Sequence, residues 1–393
     1  MEQTYKEMGL YIHIPFCVKK CKYCDFVSYA CQKEKQDVYL KWLIEEIKQV
    51  GEGNKIDVQN GIDEQVLVKT IYIGGGTPSI LEPEAIEQIM KTILENFQIA
   101  EEVETTIEVN PGTVTKEKLE KYYRAGIRRL SIGMQSMNPD LLQMLGRIHT
   151  KEEFLQTYQW AREVGFENCN VDIMIGLPNQ TMQDVEDTIK QVAMLNPEHI
   201  SCYSLIVEEG TAMEKEIADG KLVLPEEELE RKMYEKAKEL LEEAGYIHYE
   251  ISNFAKKGMA SKHNMDCWNQ KEYMGFGVAA HSYTNGVRYS NVEDIEEYIA
   301  NYEKDKWEDN LIFHEKQNKV SMEKEYMMLG LRKLEGVSIS AFKRKFVDNP
   351  CYVFRRELNY LSEQGLILIE DEDKIKLTKK GLDLANVVFE EFV

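Results

Sequence analysis

Basic residues are scarce in this chain relative to acidic ones. Forty-eight Lys and Arg against 69 Asp and Glu leave a net charge of −21 over 393 residues. Sequence-independent nucleic-acid binding needs a basic footprint, so no nucleic-acid partner is expected, and tight docking on anionic lipid is disfavoured. No apolar run approaches the roughly 18 residues of a membrane-spanning helix, so no stable membrane insertion is expected. The start of the chain, Met1 to Met8, is polar and lacks the apolar core of a signal peptide. Solenoid repeats and low-complexity tracts are missing too. Cysteines are few and uneven, at positions 17, 21, 24, 31, 169, 202, 267 and 351. Three cluster and five scatter, which is the pattern of a reduced compartment with one metal site and not of a disulfide framework. A cytoplasmic protein is expected.

What is present is ordinary in bulk. With 43% hydrophobic and 30% charged residues, the composition is that of a globular protein long enough for two or three domains. The acidic excess is read as solvating helix faces.

The distinctive stretch is Cys17-x3-Cys21-x2-Cys24, three thiolates in one loop directly after the apolar, β-prone segment from Leu10 to Phe16. Thiolates are ligands for iron–sulfur clusters and for zinc. A structural zinc site takes four protein ligands, whereas a cubane cluster held by three cysteines keeps one iron open for an exchangeable ligand.

Behind that loop, strand and helix patterns alternate about six times. Strands are expected over 66–73, 103–109, 128–133, 170–176 and 199–207, with helices over 33–50, 82–97, 116–125, 151–164 and 182–195. Such alternation implies right-handed βαβ units and a parallel sheet. The strands end in Gly, Pro and polar residues (Gly74 to Pro78, Glu108 to Gly112, Gly133 to Ser136, Asp172 to Pro178), which places these turns on one rim, where barrel-like sheets bind ligands. Eight units close a barrel, so about six predict a partial, open (β/α)6 barrel. A long charged helix follows over 225–244, then an irregular, aromatic-rich segment over 246–289. From about Ser321, three short helices and a hairpin over 365–378 read as a winged-helix-like module, whose acidic wing argues against DNA. The domain division read from this is 1–245 for the barrel, 246–318 for an irregular haem- or cofactor-lining segment and linker, and 319–393 for the terminal module.

The cysteine spacing, with Tyr23 before the last cysteine and a strand ending in Gly74-Gly75-Gly76-Thr77-Pro78, resembles the radical S-adenosylmethionine superfamily. Tyr11-Ile-His-Ile-Pro-Phe-Cys17, Glu108-Val-Asn-Pro-Gly112, Ser131-Ile-Gly-Met-Gln135, Gly146-Arg147 and Asp172-x3-Gly176-Leu-Pro178 narrow the resemblance. It is to the group holding oxygen-independent coproporphyrinogen III oxidase and its paralogue, the HemW-type haem chaperone, and it spans nearly the whole chain. Two details favour the chaperone branch. The oxidase carries a further cysteine two residues after the third, where this chain has Phe26, and it has an N-terminal extension where only sixteen residues precede Cys17 here. The chaperone group is also marked by a His-Asn-x-x-Tyr-Trp motif, matched by His263-Asn-Met-Asp-Cys-Trp268 with Cys267 in place of the tyrosine.

The resemblance implies a [4Fe–4S] cluster on Cys17, Cys21 and Cys24, with S-adenosylmethionine on the open iron. It implies cofactor contacts from Tyr11, Tyr23, Gly75, Gly76, Thr77 and Glu108. Gln135, Arg147 and Asp172 match oxidase positions that contact a second S-adenosylmethionine, and Ile206 and the loop from Gly275 to His281 match the adenosine pocket. For haem, His263 and Cys267 are the candidates, with His13 and His281 behind them. Cys31, Cys169, Cys202 and Cys351 are expected to pack as small hydrophobes. The implied function is a chaperone that binds haem and passes it to an acceptor haemoprotein, with a homodimer left open. The alternative is radical oxidative decarboxylation of coproporphyrinogen III.

Overall fold

Met8, Leu10, Ile12 and Ile14 of the first strand, β1 (Lys6–Ile14), are all buried, as are most residues of its parallel neighbours. Strands covered on both faces read as nearly continuous apolar runs, and that texture places β1 at the centre of the sheet. The computed structural model describes residues 5–30, 33–52, 66–371 and 373–393. After β1 come β2 (Val66–Gly75), β3 (Gln98–Val109), β4 (Arg129–Gln135), β5 (Asn168–Ile175) and β6 (His199–Ser204), paired in that order and all parallel.

The crossovers are helices whose ends are written into the sequence. They are α1 (Lys33–Gly51), α2 (Pro83–Asn96), α3 (Lys116–Arg124), α4 (Pro139–Leu145), α5 (Lys151–Val164) and α6 (Met182–Leu195). Thr115 caps α3, and Thr150 with Glu153 and Thr181 with Asp184 form capping boxes for α5 and α6. Gly165 and Asn196 end those two helices in left-handed conformations (φ 107° and 57°). Leu43 and Ile47 of α1, and Ile86, Ile89 and Ile93 of α2, pack onto the sheet in one large core. Neither the short helix α4 nor its counterpart α7 (Ala212–Ala218) is expected from the pattern; each is seven residues long, too short to show a period. Helix α8 (Glu227–Glu243) lies against α6.

The expectation of an irregular segment over 246–318 is corrected. Strands β7 (Ile247–Glu250) and β8 (Asn253–Ala255) add to the β6 edge, helix α9 (Lys262–Trp268) crosses, and β9 (Tyr273–Phe276) pairs parallel to β1. An antiparallel meander of β10 (His281–Thr284), β11 (Val287–Asn291) and β12 (Leu311–Lys316) follows. The result is one open twelve-stranded sheet in the order β12-β11-β10-β9-β1-β2-β3-β4-β5-β6-β8-β7. Strands of three to six residues carry too few positions for alternation to be read; their partners decide them.

The terminal module has its own core of Met327, Phe342, Phe354, Leu361 and Phe392, around a three-stranded sheet of β13 (Val337–Ser338), β14 (Ile367–Glu370) and β15 (Lys374–Leu377). It is joined to the barrel by backbone bonds from Ile251 N–H to Arg332 O (3.2 Å) and Leu334 N–H to Tyr249 O (3.0 Å). The Arg332 guanidinium lies over the Trp268 ring at 4.3 Å. Cys169 and Cys202 are fully packed in the main core and Cys351 is half-buried; Cys31 lies outside the described residues. No helix among the described residues is long and apolar enough to cross a membrane.

Candidate functional site

The cysteine loop is held from three sides. Gly76 N–H donates to Ile14 O (2.9 Å) and Thr77 N–H to Phe16 O (2.7 Å), so the glycine turn after β2 braces the chain leaving β1. Helix α4 supplies Leu145 O to Lys22 N–H (3.1 Å) and α7 supplies Met213 N–H to Lys22 O (2.9 Å). The Lys22 ammonium pairs with Glu216 at 2.8 Å. The two unexpected short helices therefore pin the loop that carries the thiols.

Cys17, Cys21 and Cys24 are free thiols on the wall of one cavity of about 440 Å³. Thr77 Oγ1 donates to Cys17 Sγ (3.4 Å) and Arg147 Nη1 to Cys21 Sγ (3.6 Å). Burial pushes the Cys17 and Cys24 thiols up. Among the described residues no three His, Cys, Asp or Glu side chains converge on a single ion. A cubane spreads its thiolates over different irons, so three soft donors on one wall, with a hydroxyl and a guanidinium aimed at two of them, fit a cluster and do not fit a lone zinc.

The strands line the rest of the lumen. Gly75 has φ of +116°, and a Cβ there would lie 2.6 Å from the His13 ring, so the turn requires glycine. Glu108, near the end of β3, accepts from Tyr72 OH (2.9 Å) and Gly75 N–H (3.1 Å). Burial, reinforced by Asp172, raises its carboxyl to about 7. Gln135, at a bulge in β4 with φ of 71°, accepts from Tyr203 OH at 3.0 Å. Arg147 Nη2 donates to Asn110 Oδ1 (2.9 Å) and Gly133 O (2.6 Å). Asp172 accepts from Asn170 Nδ2 at 2.7 Å, and burial raises its carboxyl.

The structure thus brings Cys17, Cys21, Tyr23, Cys24, Gly75, Gly76, Thr77, Glu108, Gln135, Arg147 and Asp172 to one cavity, with Phe26 at 63% exposure beside them. It leaves the other expected residues out. Tyr11 stands one layer behind, its hydroxyl 2.9 Å from His13 Nδ1 and its ring beside Tyr72. Ile206 is 66% exposed, because β6 ends at Ser204 and the chain turns outward. His263 on α9 stacks on Tyr72 at 5.2 Å, with Nδ1 2.8 Å from Thr70 Oγ1. Burial, with the nearby Arg129, lowers its imidazole to about 4. Cys267, one turn further along α9, is away from the cavity, and burial raises its thiol to about 11. Nor does the stretch from Gly275 to His281 form a cavity wall: Gly275 and Phe276 belong to β9, and His281 stacks on His314. His13 sits under Gly75, with Nε2 3.1 Å from Val27 O.

Several lining residues escape the motif reading: Tyr72, Arg129, Asn170, Ser201, Tyr203 and Asn253. A signal for them exists in the period of two. Arg129, Ser131, Gly133 and Gln135 alternate along β4 and all face the cavity, as do Asn170 and Asp172 on β5 and Ser201 and Tyr203 on β6.

Comparison with known proteins matches residues 11–192 to the radical SAM superfamily and residues 322–384 to the HemN C-terminal domain. The heme chaperone HemW of Bacillus subtilis (strain 168) is 40% identical over 385 residues, covering 98% of each chain. HemW of Lactococcus lactis subsp. lactis (strain IL1403) is 35% identical over 388 residues, covering 99% of this chain and 98% of that one. The structure of the Escherichia coli coproporphyrinogen III oxidase, HemN, described as a radical SAM enzyme, superposes with a TM-score of 0.84 over 100% of this chain and 91% of that one. At 24% identity that likeness establishes the fold alone. Carrying similarity at this level from end to end, terminal module included, the chain belongs to the HemW family of the radical S-adenosylmethionine superfamily.

Proposed function

We propose that this protein binds haem and passes it to an acceptor haemoprotein, and that it carries a [4Fe–4S] cluster and S-adenosylmethionine in the barrel lumen. The observation that carries the reading is the 40% identity to a haem chaperone across 98% of both chains. Cys17, Cys21 and Cys24 hold the cluster in this reading, with Thr77 and Arg147 donating to the sulfurs. Tyr23, Gly75, Gly76, Glu108, Gln135 and Asp172 form the S-adenosylmethionine site, with Tyr11 supporting it from behind. When bound, the two groups supply one-electron chemistry. The loop offers no fourth thiol, since Phe26 stands at that position.

For haem, His263 is favoured over Cys267. Its imidazole is neutral at pH 7, the ligating form, and Thr70 engages Nδ1, which leaves Nε2 for a metal. The Cys267 thiol, raised to about 11, stays protonated at neutral pH. Purified protein is expected to bind haem in an absorbance titration, and the His263→Ala variant to bind it at least about tenfold more weakly, the usual scale for losing a ligand-shell interaction. Unchanged affinity in that variant removes His263 from the site. Anaerobic incubation with coproporphyrinogen III, reductant and S-adenosylmethionine is expected to give no protoporphyrinogen at catalytic turnover. Turnover there would establish the oxidase reading instead.

A further inference from the structure

Arg129 is the first residue of β4, only 3% exposed, and it lines the cavity at the end opposite the cysteine loop. From it Ser131, Gly133 and Gln135 climb the wall toward the rim. Its Nε is buried with no hydrogen-bond partner among the described residues. Glu108 and Asp172 feel its charge through space and not through a hydrogen bond. Both carboxylates are held by other donors, Glu108 by Tyr72 and Gly75 and Asp172 by Asn170, and neither closes on the guanidinium. A buried cation without such a partner is costly to the fold. A guanidinium fork is matched in shape and charge by a carboxylate.

We infer that Arg129 anchors a carboxylate of the bound ligand at the floor of the lumen, which for haem, on the function proposed above, is a propionate. The amino-acid carboxylate of S-adenosylmethionine has the same chemistry, and the test separates the two. The full chain is titrated with haem and with haem dimethyl ester, whose propionates carry no charge. Wild type is expected to bind the free acid at least about tenfold tighter, the scale of one charge-assisted hydrogen-bonded pair. Arg129→Gln loses most of that preference by weakening the acid alone, and Arg129→Lys keeps part of it, retaining the charge without the fork. S-Adenosylmethionine binding, measured by equilibrium dialysis, falls in both variants by less than the acid-over-ester preference does. Equal affinity of the wild type for acid and ester, a comparison that needs no variant, overturns the anchor while leaving haem binding intact. A wild type that binds neither compound overturns the haem reading and the propionate anchor together. An Arg129→Gln variant that loses S-adenosylmethionine while keeping its acid-over-ester preference overturns the propionate assignment and gives the anchor to the cofactor carboxylate.

Discussion

The two ends of the lumen are built differently. At the rim, Thr77, Arg147, Glu108, Gln135 and Asp172 each have hydrogen-bond partners in the protein, and the glycine turn and cysteine loop are laced together through backbone groups. At the floor, Arg129 Nε is buried without a partner among the described residues; Arg147 Nε at the rim is unpartnered too, but Arg147 donates through both of its Nη atoms. A polar wall whose side chains are held by several hydrogen bonds is preorganised and presents its ligand with a fixed geometry. Unpartnered polar atoms do the opposite, and the natural place for them is where a ligand completes the bonding. The rim is accordingly read as the place of the cluster and S-adenosylmethionine, and the floor as the place of the ligand's polar end.

The largest expected effect is at the rim. Replacing one thiol, Cys17→Ala, is expected to remove the cluster, seen as loss of iron and of visible absorption in anaerobically reconstituted protein. A variant that retains full iron content would break the assignment of three thiols to one group. Next, Gly75→Ala puts a side chain at a left-handed backbone position and against the His13 ring. A destabilisation of roughly 2–5 kcal/mol is expected from the denaturant midpoint; a smaller change would show that the rim yields easily.

A third effect depends on pH. Glu108 titrates near 7 in the folded protein, above its ordinary 4.5. The folded state keeps a proton the unfolded state has lost, so this group lowers stability as pH rises from 4.5 toward 7. Glu108→Gln removes that dependence. Its stability relative to wild type is expected to improve by on the order of 2–3 kcal/mol between about pH 5 and about pH 8. A pH-independent difference would show that Glu108 is ionised throughout that range. The smallest effect is at Ile206, exposed and outside the cavity. Ile206→Ala is expected to change S-adenosylmethionine affinity less than about twofold and stability by less than about 0.5 kcal/mol. A larger loss of affinity would bring the end of β6 back to the lumen.

The motif residues of the rim were legible because each motif is contiguous: three cysteines in eight positions, three glycines in a row, a carboxylate two residues before Asn-Pro. The floor was not. Arg129 and Asn170 are single residues on two different strands that belong to no contiguous motif, and only the period of two shared with Gln135 and Asp172 marks them as facing the lumen. The sheet divides the same way. Six strands declared themselves, four of them closed by a turn motif, whereas β7 to β12 are short strands set by their partners.

By itself the sequence determined the alternation, the helix caps, the thiol triad and the family, because all of these are written in spacings along the chain. Only the tertiary structure decided that the segment after residue 245 completes the sheet, that α4 and α7 pin the thiol loop, that Ile206 faces solvent, and that His263 lies behind Tyr72. The sharpest case is the rim itself. Local chemistry could say that three thiols were there, but Arg147, Thr77 and the floor beneath them meet those thiols only when six parallel strands bring distant residues to one lumen.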